Sequence, residues 1–335
     1  MYHPERVAAW LQGEPIYPIY VEISPTSACN HRCIFCGLDF VGYKKQHLSW
    51  KMLSKTFRSM ESCGVKSVMF AGEGEPLLHI DLGKMMASAF YHNLDCALTT
   101  NGVLLTETFV PPLLKYNKWI KVSVNAGSKE TYKKIHRTKE DDFRIVFKNM
   151  EYAAKFRQSE GLDCTLGMQA ILLKNNSHEM GILAEQARDI GMDYLVIKPY
   201  SHHLSSNHKS FGVTLPFWDD YAEYLSSFNT DNFHVIFRRN AFDGTDGERS
   251  YDECLALPFW AYISSEGDVW NCSAKMGNDD SFKLGNIYED SFSAIWKQAV
   301  PTFKNIDKCR INCRMDACNR YLWELKHPKE HVNFI

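Results

Sequence analysis

An α/β fold built on a parallel sheet is the architecture this sequence predicts, and three observations carry the prediction. Short β-branched or apolar runs alternate with amphipathic stretches from residue 17 to about residue 200. The composition is that of an ordinary globular chain, with 45% apolar and 23% charged residues over 335 positions. Past Pro199 the alternation stops and cysteines gather instead, which points to a second, smaller unit.

The first run is Ile19-Tyr20-Val21-Glu22-Ile23, and it leads into a loop with three cysteines. Ser49 fits an N-cap and Gly64 a stop, so a helix is expected over 49–63. The second run, Ser67-Val68-Met69-Phe70-Ala71, ends in Gly72-Glu73-Gly74-Glu75-Pro76, and a helix over about 81–93 follows. The third, Cys96-Ala97-Leu98-Thr99-Thr100, ends at Asn101-Gly102; the fourth is Ile120-Lys121-Val122-Ser123-Val124-Asn125. Helical stretches over about 129–136 and 141–159 precede a fifth run at about 165–173. A helix at about 179–190 separates it from the sixth, Tyr194-Leu195-Val196-Ile197-Lys198. Six strands alternating with helices argue for parallel βαβ units. Right-handed crossovers curl such units into a partial barrel with its site at the strand C-terminal ends.

Residues 201–250 are polar around one helical piece near 217–227, and a boundary is expected near 240. The chain then divides into an extension (1–16), the barrel (17–240) and a C-terminal α+β unit (241–335). In that unit Glu266-Gly267-Asp268 makes a turn that returns Cys272 beside Cys254. A helix near 292–300 and a cysteine-rich end follow, with Cys318 at the start of a helix running into Tyr321-Leu322-Trp323.

Lys plus Arg number 38 and Asp plus Glu 40, a net charge of −2. That balance leaves no electrostatic footprint for nucleic acid or an anionic membrane. No apolar run approaches the ~18–20 residues of a membrane span. The opening MYHPERVAAWLQGEP lacks the apolar core of a signal peptide, so a cytoplasmic protein is expected. Eleven cysteines cannot all pair, and clustered cysteines in a reducing compartment are more often metal or iron–sulfur ligands than bridges. Cys29, Cys33 and Cys36 form one group; Cys254, Cys272, Cys309, Cys313 and Cys318 form another; Cys63, Cys96 and Cys164 stand alone.

Cys29-Asn30-His31-Arg32-Cys33-Ile34-Phe35-Cys36 reads C-x3-C-x2-C. Three thiolates leave one iron of a [4Fe–4S] cube without a protein ligand, the open position a catalytic metal needs. A structural zinc loop would need a fourth ligand, and His31 inside the spacer is poorly placed to reach the same tetrahedron. With aromatic Phe35 before the last cysteine, a strand before the motif and Gly-Glu-Gly-Glu-Pro-Leu-Leu closing a second strand, the sequence resembles the radical S-adenosylmethionine (SAM) superfamily.

The resemblance implies a (β/α)6 partial TIM barrel over 17–200. Cys29, Cys33 and Cys36 would bind three irons, and the methionyl amine and carboxylate of SAM the fourth. One electron, from a flavodoxin- or ferredoxin-like reductant, would cleave SAM to methionine and a 5′-deoxyadenosyl radical that abstracts a substrate hydrogen. Phe35, Gly72, Glu73, Gly74, Glu75 and Pro76 fall where the family binds SAM. Many members have Gly-Gly-Glu-Pro in this loop, so either Glu73 or Glu75 could meet the ligand. Ser123 and Asn125 resemble ribose contacts, with strand-end capping as the plainer reading. Asn101, Thr99 and Gln169 are candidate pocket lining, and Lys198 a candidate catalytic group or a surface lysine.

The hairpin cysteines together with the C-terminal ones resemble the auxiliary-cluster domains called SPASM and, in shorter form, twitch. Five cysteines cannot complete two cubes at four each, so one auxiliary [4Fe–4S] cluster is implied. Its ligands are expected to be Cys254, Cys272, Cys309 and Cys313, with Cys318 as an alternative ligand or a buried thiol. A structural zinc held by four cysteines is the other inorganic reading.

His202, His203 and His208 read as a solvated loop before a metal site. Arg238-Arg239 read as surface residues or as partners of an anionic substrate group such as phosphate. Trp218, Tyr221, Trp260 and Tyr262 are expected in packing, and Cys96 and Cys164 in structural positions. An auxiliary cluster could accept the electron of the substrate radical, giving net oxidation. Epimerisation would need a hydrogen donor, for which Cys318 is the credible thiol. About 16 residues before the first strand are too few for a peptide-recognition domain. A small polar metabolite of sugar, aminocyclitol or nucleotide-sugar type is therefore the expected substrate, ahead of a peptide or protein side chain. An iron–sulfur carrier or scaffold without SAM turnover is the alternative of another class.

Overall fold

The computed structural model describes residues 2–138, 141–208, 218–243, 249–297, 303–304, 306, 309 and 313–334. Helix α1 (Pro4–Leu11) precedes strand β1 (Tyr20–Ile23). Then come α2 (Trp50–Ser62), β2 (Ser67–Phe70), α3 (Leu82–Tyr91), β3 (Asp95–Thr100), α4 (Val110–Tyr116) and β4 (Asn117–Ser123). Helices α5 (Lys129–His136) and α6 (Asp142–Ser159) lead to β5 (Thr165–Leu172), and α7 (Met180–Asp189) to β6 (Tyr194–Pro199). After α8 (Trp218–Ser226) follow β7 (His234–Phe237), α9 (Arg239–Asp243), β8 (Trp260–Ile263), β9 (Asp268–Trp270), β10 (Lys283–Asn286), α10 (Phe292–Lys297) and α11 (Asp316–Lys326).

The strands form one sheet in the order β10-β9-β8-β1-β2-β3-β4-β5-β6-β7. From β8 through β7 every pairing is parallel, while β9 and β10 are antiparallel. The six expected strands are β1 to β6, and their helices cross over on one side as a partial α/β barrel. Two parallel strands were not foreseen. β7 is a four-residue run whose alternating exposure hides its signal, and β8 is the first arm of the expected hairpin, paired with β1 as well as with β9. Helices α1 and α4 also escaped the sequence reading: both are short and carry proline in the first turn, which tolerates it. The helix expected near 292–300 is α10, and its last three residues lie outside the described ones.

Period-two alternation builds the two sides of the sheet. Val21, Ile23, Val68, Phe70, Leu98, Ile120, Val122, Leu166, Met168, Leu195 and Ile197 point outward into a core shared with the helices. Their neighbours Glu22, Met69, Thr99, Lys121, Ser123, Gln169 and Lys198 point the other way, into the barrel lumen. Helix α2 shows how the helical layer is set. Ser49 Oγ accepts from Met52 N (3.4 Å), and Cys63 is followed by Gly64 at φ 71°. Leu53, Phe57 and Met60 form its buried stripe, contributing about 1.5–3 kcal/mol each. The far end of the lumen is stoppered where the Tyr194 ring lies across Gly167, whose added Cβ would fall 2.1 Å from it. Among the described residues no helix is long and apolar enough to cross a membrane.

Candidate active site at the strand C-terminal ends

The chain leaving β1 crosses the C-terminal ends of the strands as the cysteine loop. Ser24 N donates to Ile263 O (2.8 Å), Leu48 N to Pro25 O (2.9 Å) and Thr26 Oγ1 to Gln46 O (2.8 Å), which pins both arms of the loop. The segment after β2 docks onto it through Glu75 N to Ala28 O (2.8 Å) and Glu73 N to Ser24 Oγ (3.0 Å). Close approach needs glycine here: a Cβ on Gly74 would sit 2.1 Å from Ala28 O, and Gly72 holds φ 106° against Ser24.

Cys29, Cys33 and Cys36 are half-buried in this loop with free thiols. Burial, then the Glu75 carboxylate, pushes the Cys29 thiol up to about 12. Burial, then Cys36 and Cys29, holds Cys33 well above its usual range. Thiols so reluctant to ionise alone become thiolates by binding metal. His136 Nδ1 lies 3.4 Å from Cys33 Sγ, with Tyr132 stacked on its ring at 4.0 Å and the Phe35 ring edge-on at 5.6 Å. His31 holds Asp142 Oδ2 with its Nε2 at 2.9 Å. Donor atoms of His31, Cys33 and His136 lie within 4.8 Å of one another. Cys29 and Cys36 both act on Cys33, and Cys36 on Cys29, so the three motif thiols gather in this loop.

Several residues expected to touch SAM also make hydrogen bonds within the protein. Glu73 accepts from Ser265 N (3.2 Å), Ser265 Oγ and Tyr262 OH (3.3 Å), so its carboxylate anchors the β8–β9 hairpin. Glu75 accepts from Thr100 Oγ1 (2.5 Å), Asn101 N (2.7 Å) and Leu77 N (3.0 Å). Asn101 Nδ2 donates to Asn30 Oδ1 in the cysteine loop (2.7 Å). Asn125 is a strand-end brace, its Oδ1 taking Ile171 N (2.6 Å) and its carbonyl taking Asn176 Nδ2 (2.8 Å). What the segment from Gly72 to Pro76 still presents is backbone. The Ser123 hydroxyl, at the end of β4, makes no hydrogen bond among the described residues.

The second cysteine group comes together from three segments. Burial, then Cys313 and Cys272, pushes the Cys254 thiol up to about 12, while a hydrogen bond with Cys313 draws Cys309 down to about 7 despite burial and the nearby Cys272 and Cys254. Cys254, Cys272, Cys309 and Cys313 are thus mutual neighbours. Cys318, on α11, lies near Cys313 as well and packs with Cys254 against the cluster of Val7, Leu255, Phe259 and Leu322 at the strand N-terminal ends, away from the barrel mouth a hydrogen donor would need to reach.

The family model of the radical SAM superfamily matches residues 23–179 of this chain, and that of an iron–sulfur cluster-binding domain, SPASM, matches residues 254–320. The chain thus carries a radical SAM domain followed by an iron–sulfur cluster-binding domain. Its cofactors are accordingly SAM and a [4Fe–4S] cluster, with auxiliary iron–sulfur in the SPASM region. The GTP 3′,8-cyclase of Clostridium botulinum (strain Hall) is 33% identical over 138 residues, 39% of this chain and 42% of that protein. The GTP 3′,8-cyclase of Chlorobaculum tepidum is 28% identical over 189 residues, 55% of each chain. The matched stretch therefore spans about half, or less, of these relatives. Among solved structures, Streptococcus suis SuiB bound to S-adenosylmethionine superposes with a TM-score of 0.68 at 19% identity, over 87% of this chain and 69% of that one. Native anSMEcpe with bound AdoMet gives 0.63 at 18%, over 90% and 88%. At these identities the likeness is one of fold.

For this radical SAM protein the remaining candidates sort cleanly. His203 Nε2 bonds to Ser273 O (2.9 Å), His208 faces Asp39 (3.7 Å) and His202 lies beside the Tyr200 ring, so the three histidines diverge and form no metal site. Arg239 pairs with Asp219 (2.8 Å) on the surface. Trp218 and Tyr221 pack around Phe237, and Cys96 and Cys164 are buried. Sequence reasoning missed Arg314, which pairs with Glu22 Oε2 (2.5 Å) inside the lumen and covers the Trp260 ring at 4.9 Å. Its one available signal was a charged Glu22 in the middle of an apolar strand, a position that calls for a partner. Lys121 was missed too, although its place between Ile120 and Val122 marks it as lumen-facing.

Proposed function

We propose that this radical SAM enzyme oxidises a small polar metabolite of sugar, aminocyclitol or nucleotide-sugar type held in the barrel lumen. One observation carries the reading: the lumen beside the cysteine loop is lined by polar side chains that the protein leaves unused, among them Ser123, Gln169, Lys121 and Lys198. In this reading Cys29, Cys33 and Cys36 hold the first cluster, and Cys254, Cys272, Cys309 and Cys313 the auxiliary one. Bound there, the cluster and SAM supply one-electron chemistry: reductive cleavage of SAM and abstraction of a substrate hydrogen atom. The residues of the chain do the rest. Gly72 and Gly74 bring backbone carbonyls of the segment after β2 close to the cysteine loop, where an ammonium group can be received, and Ser123 offers a hydroxyl. Glu75, Asn101 and Asn125 keep the mouth in shape. The lumen residues orient the substrate, and the stoppered far end limits water.

The auxiliary site supports oxidation over epimerisation, because four cysteines gather there while Cys318 lies far from the mouth. A flavodoxin- or ferredoxin-like reductant is the partner this chemistry calls for. The test is formation of 5′-deoxyadenosine from SAM under oxygen-free, reducing conditions, with panels of phosphorylated sugars, aminocyclitols and peptides. Substrate-dependent deoxyadenosine with a metabolite that loses two electrons per turnover supports the reading. Stimulation by peptides alone overturns the substrate class, and no cleavage of SAM at all leaves an iron–sulfur carrier.

A further inference from the structure

Three lumen positions at neighbouring strands carry Lys121 on β4, Gln169 on β5 and Lys198 at the end of β6. Register sets them on a rising diagonal, each two residues further along its strand than the last. Ser123, two residues beyond Lys121, pairs with Gln169, and Ile171, two beyond Gln169, pairs with Lys198. Arg238 follows β7, with its backbone N bonded to Ile197 O (3.0 Å), and so lies next to Lys198. The charges act on one another. Burial, then Lys121, Arg314 and Arg238, lowers Lys198 to about 7, and burial, then Arg314, lowers Lys121 to about 8.

One carboxylate, Glu22, faces these cations, and Arg314 already occupies it at 2.5 Å. Among the described residues neither Lys198 nor the Arg238 guanidinium has an ion-pair or hydrogen-bond partner. Lys121 has only the Trp119 ring at 5.1 Å. The Gln169 amide, 9% exposed, is likewise without a hydrogen bond. Two half-buried ammonium groups and the exposed guanidinium beside them disfavour one another's charge, and a bound anion relieves that repulsion.

We propose that Lys121, Lys198 and Arg238, with the Gln169 amide between the strands that carry them, form a subsite for a phosphoryl or diphosphoryl group of the substrate. A carboxylate would balance one of the three charges; a phosphoryl dianion or a diphosphoryl group balances two or three. It also offers the several acceptor oxygens that two ammonium groups and a guanidinium fork can share. The inference rests on the reading that a small metabolite enters this lumen, and it narrows that metabolite to a phosphorylated one.

The test is calorimetric titration of the reconstituted holoenzyme with inorganic pyrophosphate as probe, alongside SAM. Wild type is expected to bind pyrophosphate with an affinity that falls as KCl is raised. Lys121→Met and Lys198→Met are expected to weaken it tenfold or more, Lys198→Arg to retain it, and all three to keep their iron content, melting temperature and SAM affinity. Arg238→Gln, at an exposed position, repeats the test where folding is least at stake. The proposal is overturned if wild type does not bind pyrophosphate, if the variants bind it as wild type does, or if acetate competes equally. It is also overturned if SAM affinity falls in step, because the cations then serve the SAM carboxylate. Pyrophosphate binding that persists without deoxyadenosine formation sinks the functional reading and leaves the subsite standing. SAM cleavage without pyrophosphate binding does the reverse.

Discussion

Glu75 ties the cysteine loop's support to β3 through a single carboxylate, and removing it leaves donors on Thr100, Asn101 and Leu77 without a partner. Each buried donor so orphaned costs about 1–3 kcal/mol. Glu75→Ala is therefore expected to lower the melting temperature by several degrees and to reduce iron retained by the N-terminal loop, with Glu75→Gln in between. Unchanged iron and melting would show that the carboxylate braces nothing. His136 allows a second prediction. Its Nε2 faces the Asn125 N–H (3.4 Å) and amide Nδ2 (3.3 Å), so Nε2 accepts and Nδ1 carries the proton towards Cys33. Burial, then His31, keeps this imidazole neutral. A hydrogen bond to a cluster thiolate favours the reduced state. His136→Phe should make the first cluster harder to reduce, by about 40 mV for each ~1 kcal/mol that the bond gains on reduction. A spectroelectrochemical titration reads this without turnover, and an unmoved potential would remove His136 from the cluster's surroundings.

Helix α5, which follows β4, begins on a carboxylate borrowed from the segment after the neighbouring strand β5. Glu179, just before α7, accepts from Gly127 N (2.9 Å), Ser128 N (3.1 Å), Ser128 Oγ (2.7 Å) and Thr131 Oγ1 (2.6 Å). Burial alone would raise its pKa, but bonds from Thr131, Ser128 and Gly127 outweigh burial and hold it below the usual carboxylate range. A folded value below the unfolded one means stabilisation that is complete above about pH 4.5 and lost as pH falls through the folded value. Glu179→Gln is expected to lose about 1–3 kcal/mol at pH 7, with the gap to wild type closing near pH 3. Urea midpoints at the two pH values decide it, and an equal gap at both would mean that charge is not the active quantity. Ser128 caps α5 locally, its Oγ accepting from Thr131 N (3.3 Å), but nothing local to that helix announces a carboxylate 51 residues away.

At the scale of the molecule, β8 lies against β1 in parallel register from Tyr20–Trp260 to Ile23–Ile263, so the C-terminal region continues the barrel's own sheet. Further ties reinforce it: Ser49 N donates to Tyr288 OH (3.0 Å), Trp296 Nε1 to Ile16 O (2.9 Å), and Arg314 reaches Glu22. A chain ending at residue 240 is expected to expose the β1 edge and to aggregate on expression; a soluble, monomeric truncation that still holds iron would contradict this. In the full chain, about eight irons should fall to about four on replacing Cys29, Cys33 and Cys36 together by Ala. About four falling to none would leave the C-terminal cysteines without a cluster.

Local chemistry determined what could be read from the sequence alone. Strand alternation, the Ser49 cap, the Gly64 stop and the C-x3-C-x2-C spacing each depend on residues a few positions apart, so they survive without knowledge of the fold. Tertiary structure decided the rest, because a barrel lumen is assembled from residues more than a hundred positions apart. Arg238 and Arg239 are equivalent in the sequence; the twist after β7 sends one to the lumen and the other to Asp219. Glu73 and Glu75 are equivalent too, until β8 arrives beside β1 and gives one carboxylate Ser265 while β3 gives the other Thr100 and Asn101. Which polar groups are used up in holding the barrel, and which remain free for a substrate, is a property of the closed sheet.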